Sequence, residues 1–546
     1  MTMTTEARPV VAGEREELLT RRSAKMHERR KQGALKRLRA GLRRRWAQGD
    51  ALAAPGAMGW NVPGGGAMPR WDVPPEFRAP SVQVCGLFPF SVGGSLSMVG
   101  AALGSSLEGR GTVCADPISW FIYGLINNPS GFVLGRPGLG KSSLIRHILV
   151  QMPDKGIIPM VLSDLKPDYV ILTQQMNGQV FSPGRGEDAV NPLDMGPLVG
   201  RLEELPDGLR RKAWEDLRGR RGNAVGGLCE LMLDRPLERH EANALNRALR
   251  LWDDENGTQV PVIADIRAYV EERHPVLRAS VQDRQLDDAY YDRRVEGLVD
   301  ALIALDLEGE MGGVFAQQTT THLEMNRPLC FDLSAMEGQD RRLQAGLQLV
   351  CWTYGSSAVA AAKYLAEAGL APRRTYMLIF DELWRCLRAA DFMVDRVDEL
   401  TRLNRTLNIS QILCTHTMDD LVLSTQEATK KAFGFVSRSE MVFLGGLAPS
   451  EMGNLAEVFA MSKSEQELLQ LWSIPGHYNP DTNVEDPPPG RGKFLLKVGK
   501  SVGTPLRVDL VPAEIAANDT NVSWKDTSAS MRRSGVELDA MDEGAL

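Results

Sequence analysis

No stretch of the 546-residue sequence reaches the ~18 to 20 apolar residues that a membrane-spanning helix requires. The N-terminus also lacks the short apolar segment of a secretory signal peptide. Any contact with a membrane is therefore expected to be peripheral or through a partner. Paired cysteines are missing as well. Cys85, Cys114, Cys229, Cys330, Cys351, Cys386 and Cys414 lie far apart, form no C-x-x-C and have no histidine at zinc-ligand spacing. That argues against a disulfide framework or a zinc module and points to a reducing cytoplasm. No internal repeat is evident, and the length suggests roughly two to four domains.

What charge there is lies unevenly. The formal net charge is -7, yet residues 21 to 45 hold twelve Lys or Arg against the single acid Glu28. Leucines and Trp46 are interspersed through this stretch, so residues 1–50 read as a basic, helical N-terminal arm. Such an arm can be a solvated face, or it can bind DNA phosphates, anionic lipid or an acidic partner. Residues 51–80 are too rich in Gly and Pro for a regular element and read as a linker.

Beyond the linker, an α/β alternation runs over residues 81–196, breaks for a charged helical stretch at 197–312, and resumes over 313–525. The second part offers strands at 328–334, 375–381, 409–415 and 440–445, helices at 339–368 and near 394–406, and a β-hairpin within 490–512. Residues 526–546 read as a disordered tail. Trp214 and Trp252 are expected to pack the helical stretch, and His147 and His240 to take surface or capping roles.

The chemistry sits at GFVLGRPGLGKSSLIRHIL, residues 131–149, which fits G-x-x-x-x-G-K-[ST], the Walker A pattern, between an apolar strand and a helix. Glycines let backbone N–H groups curl around phosphate oxygens without a Cβ in the way. Gly135, Arg136, Pro137, Gly138, Leu139, Gly140, Lys141, Ser142 and Ser143 are thus the candidate ATP-binding residues. Lys141 would reach the β and γ phosphates, and the Ser142 hydroxyl would ligate Mg²⁺. A phosphate loop also needs a carboxylate at the end of a neighbouring strand. YMLIFDE, residues 376–382, supplies Asp381 for the Mg²⁺ shell, through water, and Glu382 to orient and deprotonate the attacking water. Together these residues read as an ATP hydrolase.

The phosphate loop, IPMVLSDLKPDY (158–169), with its Asp164-Leu165-Lys166, and the Asn191-Pro-Leu-Asp194 run resemble the HerA/FtsK superfamily. Within it, the chain is most similar to the C-terminal ATPase domain of the conjugative type IV secretion ATPases. LFPFSVGG (87–94) and GKFLLKVGKSVGTPLRV (492–508) resemble family segments too. The resemblance implies a RecA-like P-loop NTPase fold with a largely parallel central sheet, and makes 197–312 an inserted all-α lid. It implies a motor energising secretion or conjugation, assembled as a hexamer with membrane components of that machinery at the inner face of the membrane. Two alternatives remain open: a DNA translocase of the FtsK, HerA or coupling-protein kind, and an ATP-binding structural component with little turnover.

Two departures stand out. The family usually carries a large domain before the loop, whereas 134 residues precede Gly135 here. Where the family has a γ-phosphate-sensing Gln after the next strand, this sequence has His416, which can still donate one hydrogen bond to a phosphate oxygen. Ring ATPases also pass an arginine to the neighbouring subunit's γ-phosphate. Arg405 is the first candidate, Arg402 the second and Arg438 the third, with a solvated helix position as the competing account of the first two.

Overall fold

A computed structural model describes residues 98–517 apart from breaks at 109–110, 185–187, 284–285, 307–311, 402–407, 477, 480–483, 486 and 500. The basic arm, the linker, the 87–94 segment, the tail, Arg402 and Arg405 lie outside the described residues.

The described residues form thirteen strands: β1 (Ala102–Ser106), β2 (Thr112–Cys114), β3 (Ser130–Leu134), β4 (Ile157–Asp164), β5 (Gln179–Phe181), β6 (Leu329–Asp332), β7 (Thr375–Phe380), β8 (Ile409–Thr415), β9 (Met441–Leu444), β10 (Tyr478–Asn479), β11 (Val484–Glu485), β12 (Lys493–Val498) and β13 (Thr504–Val508). Eleven share one sheet in the order β2-β1-β13-β12-β9-β3-β8-β7-β4-β6-β5, while β10 and β11 pair with each other. From β9 to β5 every pairing is parallel. From β9 to β2 every pairing is antiparallel.

The parallel block follows from composition. A strand covered on both faces must be apolar on both, and SGFVL in β3 is buried at every position. Alternate residues of β7 feed two cores. Tyr376, Leu378 and Phe380 join one, and Met377 and Ile379 join the other. Each such fully buried large side chain is worth ~1.5–3 kcal/mol relative to exposure. The second core receives Leu144, Ile145, Ile148 and Leu149 from the helix Lys141–Leu149.

The first core holds Trp352 of the 27-residue helix Arg341–Glu367 and continues into the helical stretch through Leu228, Leu245, Trp252, Ile266, Tyr291 and Leu302. The helices Asp207–Leu233, Arg239–Asn256, Ile263–Glu271 and Asp288–Leu305 thus share a core with the sheet. Asn191 of the N-P-L-D run helps to stitch this junction. Its amide Nδ2 donates to the Pro261 carbonyl at 2.8 Å and to Gln318 Oε1 at 3.1 Å, and its Oδ1 accepts from the Leu193 amide. His147 departs from its expected surface role. It is 7% exposed, with Nδ1 2.8 Å from Glu514 and Nε2 2.7 Å from the Ala102 carbonyl. The residue that buries it lies on the helix Pro512–Ala517, which local pattern cannot connect to position 147.

Candidate functional site

The register of the parallel strands sets their carboxyl ends level. Leu134 pairs with Thr415, and Phe380 with Leu413, so the residues following β3, β7 and β8 emerge at one edge. After β3 the chain turns through Gly138 and Gly140, whose φ angles of 79° and 99° fall in the left-handed region that favours glycine. Gly140 is the N-cap of the helix that begins at Lys141, and no side chain caps it, which suits that helix end to an anion. The loop is held from both flanks. Gly135 N donates to the His416 carbonyl at 3.2 Å, Arg136 N to the Gly446 carbonyl at 3.1 Å, and the Leu139 carbonyl accepts from Gly492 N at 2.9 Å.

Lys141 is 7% exposed, and its ammonium lies 2.7 Å from the Gly135 carbonyl and 2.7 Å from His416 Nδ1. An ammonium can only donate, so Nδ1 accepts, and the other ring nitrogen carries the hydrogen. That nitrogen, Nε2, sits 3.2 Å from Glu382 Oε2, which also accepts from Trp384 Nε1 at 2.6 Å. Glu382 Oε1 is 3.0 Å from the Lys166 ammonium. A continuous chain, Lys141 to His416 to Glu382 to Lys166, therefore joins the ends of β3, β8, β7 and β4. Glu382 holds its place with φ +50°, a left-handed conformation uncommon for a non-glycine residue and typical of functional positions. Burial alone would raise its carboxyl, but the hydrogen bond from His416, then the charge of Lys166 and the hydrogen bond from Trp384, hold it well below the usual carboxylate range.

Asp381 accepts from the Tyr169 hydroxyl at 2.9 Å and from the Glu382 amide at 2.9 Å. Burial, and then the neighbouring Glu382 charge, raises its carboxyl. The Tyr169 phenol is itself pushed well up by burial and by Asp381, so it remains a donor. Asp164 turns inward and accepts from the amides of Asp168 and Tyr169 at 3.0 and 2.8 Å, and burial pushes it up to about 7. In the Asp-x-Lys segment, then, Asp164 shapes the loop and Lys166 reaches the site.

A cavity of about 210 Å³ is lined by Pro137, Gly138, Gly140, Lys141, Ser142, Ser143, Asp381, Glu382 and His416. Arg136 joins the loop by its backbone, but its guanidinium turns to the Ser473 carbonyl at 3.0 Å. Arg438 lies just before β9, at the opposite edge of the sheet, and pairs with Asp398 at 2.5 Å. Sequence reasoning missed Arg146, Asp168 and Arg491 on the cavity wall, and Tyr169 behind Asp381. Arg146 lies one helical turn beyond the Lys-Ser-Ser run and offers a signal by spacing, whereas Arg491 comes from a turn remote in sequence.

For a metal ion the wall offers the Ser142 hydroxyl and the Asp381 carboxylate, both hard oxygen donors of the kind Mg²⁺ takes. Among the described residues no three His, Cys, Asp or Glu side chains converge to hold a metal by themselves. The donor set therefore fits Mg²⁺ sharing its shell with phosphate oxygens and water, and does not fit an all-protein cage.

No protein-family model matches this sequence, and no curated protein matches it. Among solved structures, the chain is similar to VirB4 of Thermoanaerobacter pseudethanolicus, with 18% identity and a TM-score of 0.56 over 78% of this chain and 100% of that one. It also aligns with the bacterial conjugative coupling protein TrwBdeltaN70, at 10% identity and a TM-score of 0.42 over 70% of this chain and 85% of that one. The chain thus has the RecA-like P-loop fold, as VirB4 does.

Proposed function

We propose that this chain is a Mg²⁺-dependent ATPase that energises type IV secretion or conjugative transfer, working as a hexamer docked peripherally on the inner face of the membrane. The observation that carries the hydrolytic part is the chain from Lys141 through His416 and Glu382 to Lys166, directly beside a glycine loop and an uncapped helix start. The fold shared with VirB4 supports the secretion part. No helix among the described residues is long and apolar enough to cross a membrane, which is compatible with peripheral docking.

Chemically, the loop amides and the helix N-terminus hold the triphosphate of the substrate. Lys141 exchanges the Gly135 carbonyl and His416 for β and γ phosphate oxygens. His416 keeps Glu382 oriented through Nε2, and Glu382, ionised by its neighbours, accepts the proton of the attacking water. Ser142 and Asp381 would hold Mg²⁺, which supplies charge neutralisation on the phosphates when bound. An arginine of a neighbouring subunit, Arg405 or Arg402, completes the charge stabilisation. The basic arm, through residues 21–45, gives the ring a means of gripping anionic lipid or DNA.

Steady-state ATPase assays with and without single- and double-stranded DNA test this reading. Turnover that is lost in Lys141→Ala and insensitive to DNA is the expected outcome. Strong stimulation by DNA would instead favour a translocase, and ATP binding without turnover would favour a structural component.

A further inference from the structure

Four Lys or Arg side chains stand on the cavity wall, and three are already engaged. Lys141 meets His416, Arg146 donates to the Asp168 carbonyl at 2.7 Å, and Lys166 pairs with Glu382. The fourth, Arg491, is exposed, and no side-chain hydrogen bond or ion pair engages its guanidinium among the described residues. Yet its backbone is firmly placed. Arg491 N donates to the Pro488 carbonyl at 3.0 Å, and the next residue, Gly492, bonds through N to the phosphate loop at Leu139 and through O to Val508 N at 2.8 Å. Gly490 packs so closely on Trp472 that a Cβ there would lie 2.1 Å from the Trp472 carbonyl oxygen. A turn with little freedom therefore holds an unpaired cation against the loop, beside Leu139 and Gly140.

The strand order gives this cation a side. The turn leads into β12, which lies beyond β9 on one flank of β3, whereas Glu382 and His416 arrive on the other flank from β7 and β8. If water is activated at Glu382, the γ-phosphate lies towards that flank, and a cation on the opposite flank faces the α and β phosphates. We propose that Arg491 binds α/β-phosphate oxygens of the nucleotide in cis, setting affinity for ATP and ADP alike and taking no part in the attack of water. This rests on the ATPase reading above. It also differs in kind from an arginine delivered by a neighbour, which acts on the transition state.

The test is nucleotide binding by the full chain, with ATP and ADP titrated against the unaltered protein, Arg491→Ala and Arg491→Lys, alongside steady-state kinetics. Arg491→Ala should weaken both nucleotides about 10-fold, raise KM by a similar factor and leave kcat within about twofold, with Arg491→Lys recovering part of the loss. The affinity of Arg491→Ala should also depend less steeply on salt, because an exposed charge contact has been removed. Thermal denaturation should show no loss of stability, since the side chain has no partner to lose among the described residues. A fall in kcat at unchanged affinity, weakening of ATP but not ADP, or no change in either affinity would each overturn the proposal. If the unaltered chain binds neither nucleotide, the ATPase reading fails and this inference with it. If it binds both and Arg491→Ala binds them equally well, only the inference fails.

Discussion

The two flanks of strand β3 are built on different principles. On one side lie β8, β7 and β4, all parallel to β3, and their chemistry comes from the residues that end each strand: His416, the pair Asp381 and Glu382, and Lys166. On the other side lies β9, still parallel, and then the antiparallel β12 and β13, whose contribution comes from the turn that precedes a strand. Parallel strands gather their carboxyl ends at one edge, so the first flank is a set of side chains already bonded to one another. Antiparallel strands bring a beginning to that same edge, and the second flank presents backbone contacts and one guanidinium that is unpaired among the described residues. The first flank is organised for reaction and the second for grip.

Breaking the reactive flank should have the largest effect. Glu382→Gln should lower turnover about 10³-fold while ATP binding is retained, because the loop and the metal-side residues are untouched. Single-turnover kinetics beside equilibrium binding would separate the two. Equal loss of binding and turnover would mean that Glu382 organises the loop and does not act on water.

The gripping flank should fail by unfolding before it fails by chemistry. Lys497 of β12 is 1% exposed, and its ammonium is 2.8 Å from Glu465, which also accepts from the Gly503 amide at 2.8 Å. Removing one partner leaves the other charge buried, so Lys497→Ala should cost about 3 kcal/mol in chemical denaturation. Burial would raise the Glu465 carboxyl, but Lys497 and the two amides of Ser462 and Gly503 bring it below its ordinary value. The stabilisation is therefore fully present above the unfolded carboxyl value, ~4.3, and is lost as pH falls through the lowered folded value. Removing both charges, Lys497→Met with Glu465→Gln, should flatten that acid limb. A limb unchanged in the double variant would assign the acid sensitivity elsewhere.

A smaller effect is expected where the reactive flank meets the loop. His416→Ala should slow turnover about 10-fold, because Glu382 keeps Lys166 and Trp384, and His416→Gln should restore much of the rate through a single donor. If Gln restores nothing, the imidazole does more than orient Glu382.

The same contrast explains what the sequence made legible. A buried parallel strand writes itself as an apolar run with chemistry at its end. ISQILCT was therefore readable as the strand Ile409–Thr415, and Asp381 and Glu382 as the acids after YMLIF. Lys141 and its glycines were readable because one local segment holds the whole motif. Arg491 was not, since its relevance depends on β12 reaching β9, a pairing that no local pattern states. His147 was misjudged for the same reason, as its partner is 367 residues away. Tyr169 is a third case, visible only once the turn after β4 had brought it beneath Asp381.

The joining of β1 to β13 bears on how the protein is made. β1 pairs with β2 and with β13, and Ser105 hydrogen-bonds to Asp509, 404 residues later. At ~5–20 residues per second of synthesis, that partner emerges ~20–80 s after β1. For this interval the β1 edge of the β1–β2 ribbon lacks its later partner, and so does one edge of β9, until the last hairpin threads between them and joins the ribbon to the sheet. A ribosome-bound chain stopped before residue 490 should carry two strand edges, on β1 and β9, that the finished sheet pairs, and such edges are where a nascent chain is most exposed to capture by chaperones or by another copy of itself.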